Sequence, residues 1–327
     1  MRNNVVDDFV AALSSRVRLV ALDVGARGGA KSDLAILAPM TDYYLFEPDK
    51  EEFDRMRAAP KTEVWRSVTP INEALASGTE IFSLNLYRHR GCSSKLVADK
   101  ARAERFVRGD YYIHDGAVNV PSKALDQLVS EGVLPPPSFM KIDVQGMESE
   151  VFSGAQECLR RSLVGIRTEV SFYPIYEGQP LFAEIDQQLR VFGFVPMRWI
   201  ESHEWRRQTR VKFPGTIEGP FPASRGQLIH GDVLYLLEPE ALPSGTEDEI
   251  KRLVLLGMTA LAYGHIDHAV SALSRPGVES YLREVTGMAP RDALAAASKH
   301  LARRLPSAPL AFQGRRLVSR LRRLLWQ

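Results

Sequence analysis

The chain has 327 residues, 45% of them hydrophobic and 25% charged, with a formal net charge of +2. That balance excludes a disordered or fibrous polypeptide and argues against a nucleic-acid partner, leaving a globular protein with room for one large α/β domain and an appendage. Two cysteines, Cys92 and Cys158, make neither a disulfide framework nor a metal-ligand spacing, so a reducing cytoplasm is the default compartment. Residues 1–8 lack the apolar core of a signal peptide, no run reaches the length of a membrane span, and no repeat of solenoid period is apparent.

In chain order, Val6, Phe9, Val10 and Leu13 recur at helical spacing behind Asp7 and Asp8, which predicts a short amphipathic helix. Residues 19–29 read as a buried strand that ends in an acid and a glycine turn opening onto a helix. The glycines permit backbone conformations and close ligand approach that a Cβ blocks. A dinucleotide fingerprint needs glycine at 25, 27 and 30, and the chain has Arg27 and Ala30, so the pyrophosphate-cradling pattern fails. The surviving pattern of Asp23, Gly25 and Gly28 suits S-adenosylmethionine, which carries an ammonium for Asp23 and a carboxylate for main-chain N–H groups. A plain structural turn reads these glycines equally well.

Ser32 or Asp33 is placed to cap a helix through Leu34, Ile36 and Leu37 that Pro39 closes. A second strand at 43–46 ends in Glu47-Pro48-Asp49. Glu47 lies 24 positions past Asp23, about the separation at which an acid reaches the ribose hydroxyls of a nucleoside. A helix over 51–56 and a third strand over 63–66 follow, and then Asn72, which either faces the adenine amine or forms a turn. Residues 81–87 alternate as an extra strand and deliver Ser93 and Ser94, which either bind a carboxylate or sugar hydroxyl or make a polar turn. Residues 96–112, with Arg102, Arg105 and Arg108, are helical in pattern and read as a lid or substrate-facing insertion. A short strand at 118–120, a helix at 125–129 and the Pro135-Pro136-Pro137 run come next.

The second informative stretch is 139–148, a strand ending near Asp143, a glycine turn, and then Val151, Ala155 and Leu159 at helical spacing. Asp143 is expected at the carboxyl edge of the sheet, within reach of a substrate hydroxyl, or else as a helix cap. Strands at 163–170, 194–200 and 232–237 flank a helix over 181–191, with a loop over 205–222 at the pocket mouth. The alternation predicts one doubly wound sheet.

Together these residues resemble the FkbM family of S-adenosylmethionine-dependent methyltransferases. The resemblance rests on Asp23-Val24-Gly25-Ala26, Phe46-Glu47-Pro48, Asn72-Glu73-Ala74-Leu75, Cys92-Ser93-Ser94 and Lys141-Ile142-Asp143-Val144-Gln145-Gly146 followed by Gly154-Ala155. Gln145 stands where the family usually has Glu, and Arg27-Gly28-Gly29 where it often has Asn-x-Gly. The resemblance implies a Rossmann-like class I α/β fold, a mostly parallel seven-stranded sheet with one antiparallel strand, and methyl transfer to a hydroxyl of a saccharide or secondary metabolite. Carried over, Asp23, Gly25 and Gly28 would hold the methionine part of the cofactor with Arg27 and the serines Ser93 and Ser94 alongside, Glu47 and Pro48 the ribose, and Asn72 the adenine side. Asp143 would face the transfer site as the base, with Glu169 or His114 as substitutes. A catalytically silent binding or scaffold module in glycan assembly is the alternative, supported by Gln145 alone.

The domain reading is a methyltransferase domain over 1–240 with an insertion at 81–130, and a helical C-terminal extension over 241–327. Helical segments are expected at 247–273, 291–305 and 315–326. The last segregates Leu317, Leu321 and Leu324 from Arg316, Arg320 and Arg323. It either docks on the protein or a second subunit, or lies on the anionic inner face of a membrane. His265 and His268 read as a solvated face, and no metal site is expected.

Overall fold

The computed structural model describes residues 5–30, 32–59, 64–209 and 225–304. Among the described residues there are ten strands: β1 Leu19–Val24, β2 Thr41–Phe46, β3 Ser67–Ile71, β4 Ala74–Leu75, β5 Glu80–Tyr87, β6 His114–Lys123, β7 Phe139–Ile142, β8 Gly165–Ser171, β9 Phe194–Trp205 and β10 Gln227–Leu237. Seven of them form one sheet in the order β3-β2-β1-β7-β8-β10-β9. Its pairings are parallel except that β10 runs antiparallel to both neighbours. The chain winds outward from β1 in one direction through β2 and β3, and in the other through β7 and β8, so strand order reverses between β1 and β7. A doubly wound sheet opens its ligand crevice at that switch point, outside the carboxyl ends of the strands. The expected Rossmann-like arrangement is therefore the one observed.

The central strands are covered on both faces. Every residue of β1, β7 and β8 is buried, charged ones included. The helix Val5–Leu13 buries Val6, Phe9, Val10 and Leu13, the residues its spacing singled out. Past β10, helices Glu247–Ala262, Ile266–Leu273, Pro276–Thr286 and Pro290–Arg304 follow. Their Leu253, Leu273, Leu282 and Leu294 belong to the same continuous core as Phe9, Leu22 and Phe139. Thr246 and Glu249 start the first of them with reciprocal side chain to main chain bonds. Among the described residues no helix is long and apolar enough to cross a membrane.

The insertion, joined by β4 just ahead of it, forms a second sheet, β4-β6-β5, which contains the strand expected at 81–87. The helical pattern at 96–112 is realised as an α-helix over Lys100–Ala103 and a 3₁₀ helix over Gly109–Tyr112. The rest turns so that Phe106 is buried edge-on against Tyr173 and Trp205. The third strand is Ser67–Ile71; of the expected 63–66, residues 64–66 form a turn and bend ahead of it with Trp65 edge-on at 5.1 Å against Tyr43, and residue 63 lies outside the described residues. Residues Ser32–Met40 form a 3₁₀ helix instead of a capped α-helix, and the Asp33 carboxylate is drawn to Arg167. Residues 210–222 of the expected mouth loop and the segment 315–326 lie outside the described residues.

Candidate active site

The first motif is a knot of main chain around Gly25. Its φ of +80° is open to glycine, and an added Cβ would fall 2.0 Å from the Asp143 carbonyl oxygen. The N–H groups of Gly25 and Ala26 both donate to Phe46 O at 3.0 Å, tying this turn to the end of β2. Gly28 and Gly29 also have positive φ, but open space where a Cβ would point, so they serve the turn's curvature. Gly28 N–H donates to Glu52 Oε1 at 3.0 Å and Gly29 N–H to Ala26 O at 2.8 Å. These donors are committed within the protein. Of the turn's amides expected to receive the methionine carboxylate, those of Gly25, Ala26, Gly28 and Gly29 are thus occupied, while the Arg27 N–H has no acceptor among the described residues.

Glu47 follows β2 and lines a cavity of about 270 Å³ together with Arg27, Pro48, Ser93, Lys141 and Asp143. Burial pushes its pKa up to about 7, against the pull of the Asp49 N–H it accepts at 3.0 Å and of the Arg27 guanidinium. Arg27 is held 2.8 Å from Asp49, whose side chain caps the helix Lys50–Ala58. Asn72 lies behind this wall. Its amide donates to Glu47 O at 2.9 Å and Pro48 O at 3.2 Å, so it fastens the acidic loop, and its placement does not support the expected adenine contact.

Asp23 requires a further correction. It is fully buried beneath the cavity, and Lys141, its register partner on β7, places Nζ 3.2 Å from Asp23 Oδ1. The cation beside Asp23 is thus the protein's own, and it is Lys141 that lines the cavity. The same ammonium is 3.6 Å from Asp143 Oδ2.

Around Asp143 the second motif builds a polar cluster. Gln145 has φ +55°, a left-handed conformation unusual for a residue with a side chain. That conformation brings its amide between two carboxylates, donating to Asp143 Oδ1 at 2.8 Å and Glu169 Oε1 at 3.2 Å, while its oxygen accepts from Tyr176 OH at 3.1 Å. Burial raises the pKa of Asp143, but Lys141 and the Gln145 amide outweigh it and the net shift is downward. Glu169 moves the other way, pushed well up by burial and by the nearby Asp143. Glu148 accepts from Val144 N–H at 2.9 Å and Gly146 N–H at 3.0 Å, fixing the loop; burial and Glu169 push its pKa up to about 8.

Ser94 and Ser93 divide their roles. Ser94 Oγ donates to Gln145 O at 2.8 Å and accepts from Leu96 N–H at 3.0 Å, so it is a brace. Ser93 Oγ is buried on the cavity side with no hydrogen-bond partner among the described residues. His114 is not in the cluster. It begins β6, exposed and edge-on to Tyr87 at 6.0 Å, because the inserted sheet carries it away from Asp143. Glu169 is within the cluster, behind Gln145 and 2.9 Å from His230 Nδ1. His230 and His203 escape sequence reading, since only the antiparallel register of β9 and β10 stacks them 4.5 Å apart.

His265 and His268 are half-buried rather than solvated, with His268 Nε2 2.9 Å from Leu237 O. Among the described residues no group of three or more acids, histidines and cysteines is placed to hold a metal ion.

The chain is 27% identical over 188 residues to the 2-O-methyltransferase NoeI of Sinorhizobium fredii, covering 54% of this chain and 74% of that one. It is also 27% identical over 146 residues to the hexuronic acid methyltransferase AglP of Haloferax volcanii, covering 43% of this chain and 52% of that one, about half its length. Among solved structures, the methyltransferase FkbM of Methylobacillus flagellatus KT matches 69% of this chain and 47% of that one at 13% identity and a TM-score of 0.33; the sheet order, not this loose likeness, defines the fold. The Methyltransferase FkbM domain profile matches residues 23–196, more than half of the chain, from the buried aspartate of β1 into β9. On that match the chain belongs to the methyltransferase FkbM domain family.

Proposed function

We propose that this chain is an S-adenosylmethionine-dependent O-methyltransferase whose acceptor is a hydroxyl of a saccharide or secondary metabolite. The observation that carries the reading is the convergence of Glu47 and Asp143, from the two separate motifs, on one cavity at the switch point of the sheet. The residues present fit the cofactor. Glu47 offers a buried carboxylate to the ribose hydroxyls, Ser93 an unsatisfied hydroxyl, and Arg27 and Lys141 positive charge for the methionine carboxylate. NoeI and AglP, both named as methyltransferases, favour the same chemistry, and the name of AglP favours a sugar acid as its class of acceptor.

When bound, the cofactor supplies a methyl group on a positively charged sulfur, an electrophile that needs no further activation. The protein's task is alignment, for which effective molarities of roughly 10⁵ M and above are available. Asp143, kept ionised by Lys141 and oriented by Gln145, holds the acceptor hydroxyl and takes its proton, a contribution of about 10²- to 10⁴-fold. Glu169 stays behind it, its pKa pushed well up by burial and by Asp143, with its Oε1 held by the Gln145 amide. Gln145, where the family usually has Glu, keeps a contact with the proposed base, its amide donating to Asp143 Oδ1 at 2.8 Å, which supports the catalytic reading over a silent module.

The test is transfer of radiolabelled methyl from S-adenosylmethionine to nucleotide sugars, free glycans and small alcohols. Incorporation into a hydroxyl acceptor that Asp143→Asn abolishes is expected. No incorporation into any of them, from a protein that also fails to bind S-adenosylhomocysteine, overturns the reading.

A further inference from the structure

Beyond Asp143 the sheet edge carries a second cluster that the cofactor cavity leaves unused. β9 ends there and β10 begins, so His203 and His230 stack at an interplanar angle of 21°. Trp205, the last residue of β9, stands edge-on to His230 at 5.7 Å and to Phe106 at 5.9 Å. His230 meets Glu169, and Gln145 joins Glu169 to Asp143. Side-chain contacts therefore run unbroken from Trp205 to the carboxylate assigned to the acceptor hydroxyl.

Arg105, Arg108 and Arg207 rim this cluster, Arg207 5.5 Å from the Phe106 ring centre and donating to Gln227 Oε1 at 3.2 Å, and the first two have surroundings unlike those of their neighbours in the inserted segment. Arg88, Arg90 and Arg102, in the same inserted segment, each meet an aspartate, at 3.5, 2.9 and 2.9 Å. Arg105 and Arg108 are exposed and have no carboxylate partner among the described residues. The guanidinium of Arg108 is 5.9 Å from the ring centres of both Tyr111 and Trp205, and Arg105 donates to Tyr173 OH at 3.2 Å. Arg108 also faces the histidines closely enough to help lower the pKa of each, after burial. The indole N–H of Trp205, in a residue only 4% exposed, has no acceptor among the described residues. A buried donor without a partner costs on the order of 1–3 kcal/mol unless something supplies an oxygen.

Resting on the methyltransferase reading above, we propose that the Arg105–Arg108–Trp205 surface is the acceptor subsite and that it takes an anionic saccharide, one carrying a carboxylate or a phosphate. The half-buried rings of Tyr111 and Tyr173 beside the arginines match the C–H face of a pyranose, a guanidinium fork matches either anion through two parallel hydrogen bonds, and Trp205, buried beneath, backs Arg108. Both histidines are held toward the neutral form, so the arginines alone answer the acceptor's charge. A neutral sugar would leave Arg105 and Arg108 to water.

The test compares glucuronic acid, glucose 1-phosphate and methyl glucoside binding to the full-length protein loaded with S-adenosylhomocysteine, by calorimetry or saturation-transfer NMR. At least one anion is expected to bind about tenfold or more tighter than methyl glucoside, with the advantage fading as salt is raised. Which anion wins identifies the carboxylate or the phosphate as the source of charge. Arg108→Gln and Arg105→Gln should remove the advantage while affinity for S-adenosylhomocysteine stays within about twofold, which reports an intact fold. Equal binding of the neutral sugar, binding of no saccharide by the loaded protein, or an advantage that survives both substitutions would overturn the inference. A protein that does not bind S-adenosylhomocysteine fails the proposed function instead, and the saccharide comparison is then read on the unloaded protein.

Discussion

The carbonyl oxygen of Asp143 lies 2.0 Å from where a Cβ on Gly25 would stand. Two motifs more than a hundred residues apart in sequence are in main-chain contact, and neither loop takes its place without the other. Gly25→Ala therefore meets both a backbone obstruction and a left-handed φ, and should cost about 3 kcal/mol or more, up to loss of folding. Gly28→Ala meets only the φ penalty, about 1–2 kcal/mol, because nothing lies within 4 Å of its added Cβ. Urea unfolding of the pair checks the contrast, and equal losses would contradict it.

Glu47 links cofactor affinity to pH. Its pKa of about 7 leaves the carboxyl partly protonated near neutrality, while two ribose hydroxyls call for the ionised form. Affinity for S-adenosylhomocysteine should rise about tenfold from pH 6 to pH 8 and lose that dependence in Glu47→Gln. The sign for the free protein is opposite. A carboxyl raised from 4.5 to about 7 on folding binds its proton more tightly in the folded state, so its contribution to stability falls as pH rises across that window and is level above it. Stability of the wild type relative to Glu47→Gln, measured from pH 4 to pH 8, should decline accordingly.

Gln145→Glu would set a third carboxylate between Asp143 and Glu169 and remove the donor that orients the first. Methyl transfer at neutral pH should fall about 10- to 100-fold, the worth of one charge-assisted hydrogen bond. The pH–rate profile should move to alkaline values, since an Asp143 raised by repulsion is protonated at neutrality. A profile that does not move would assign Gln145 to loop structure alone.

Lys141→Met would strip the ammonium from fully buried Asp23 and cost about 3–5 kcal/mol. Asp23→Leu combined with Lys141→Met should recover most of that loss, because the cost comes from the uncompensated charge. Thermal or urea unfolding of the single and double variants measures it.

The strands β1, β2 and β7 with the turns that follow β1 and β7, and the helix Val5–Leu13, were legible because apolar runs, acids and glycines announce them locally. The edge strand Ser67–Ile71 was not, because its Ser-Val-Thr-Pro-Ile sequence includes a proline and pairs on one side only, while the adjacent Trp65 looks more strand-like. Asp23 read as a pocket carboxylate because its position in the motif says nothing of Lys141, which reaches it only once β1 and β7 pair in register. Asn72 and Ser94 were found as site residues, yet both spend their polar groups on main chain. The stacked histidines and the rim of Trp205, Arg105 and Arg108 draw on the inserted segment and the two last strands, and no local pattern marks side chains that meet only in three dimensions.

The most direct test of the account is titration of S-adenosylhomocysteine into the full-length protein by calorimetry, with NAD as the comparison and Glu47→Ala as the variant. Saturable binding of S-adenosylhomocysteine, none of NAD, and loss of binding in a folded Glu47→Ala protein is the predicted result. A folded wild type that ignores S-adenosylhomocysteine, or a Glu47→Ala protein that binds it as tightly as the wild type, would contradict the placement of the methyl donor between the two motifs.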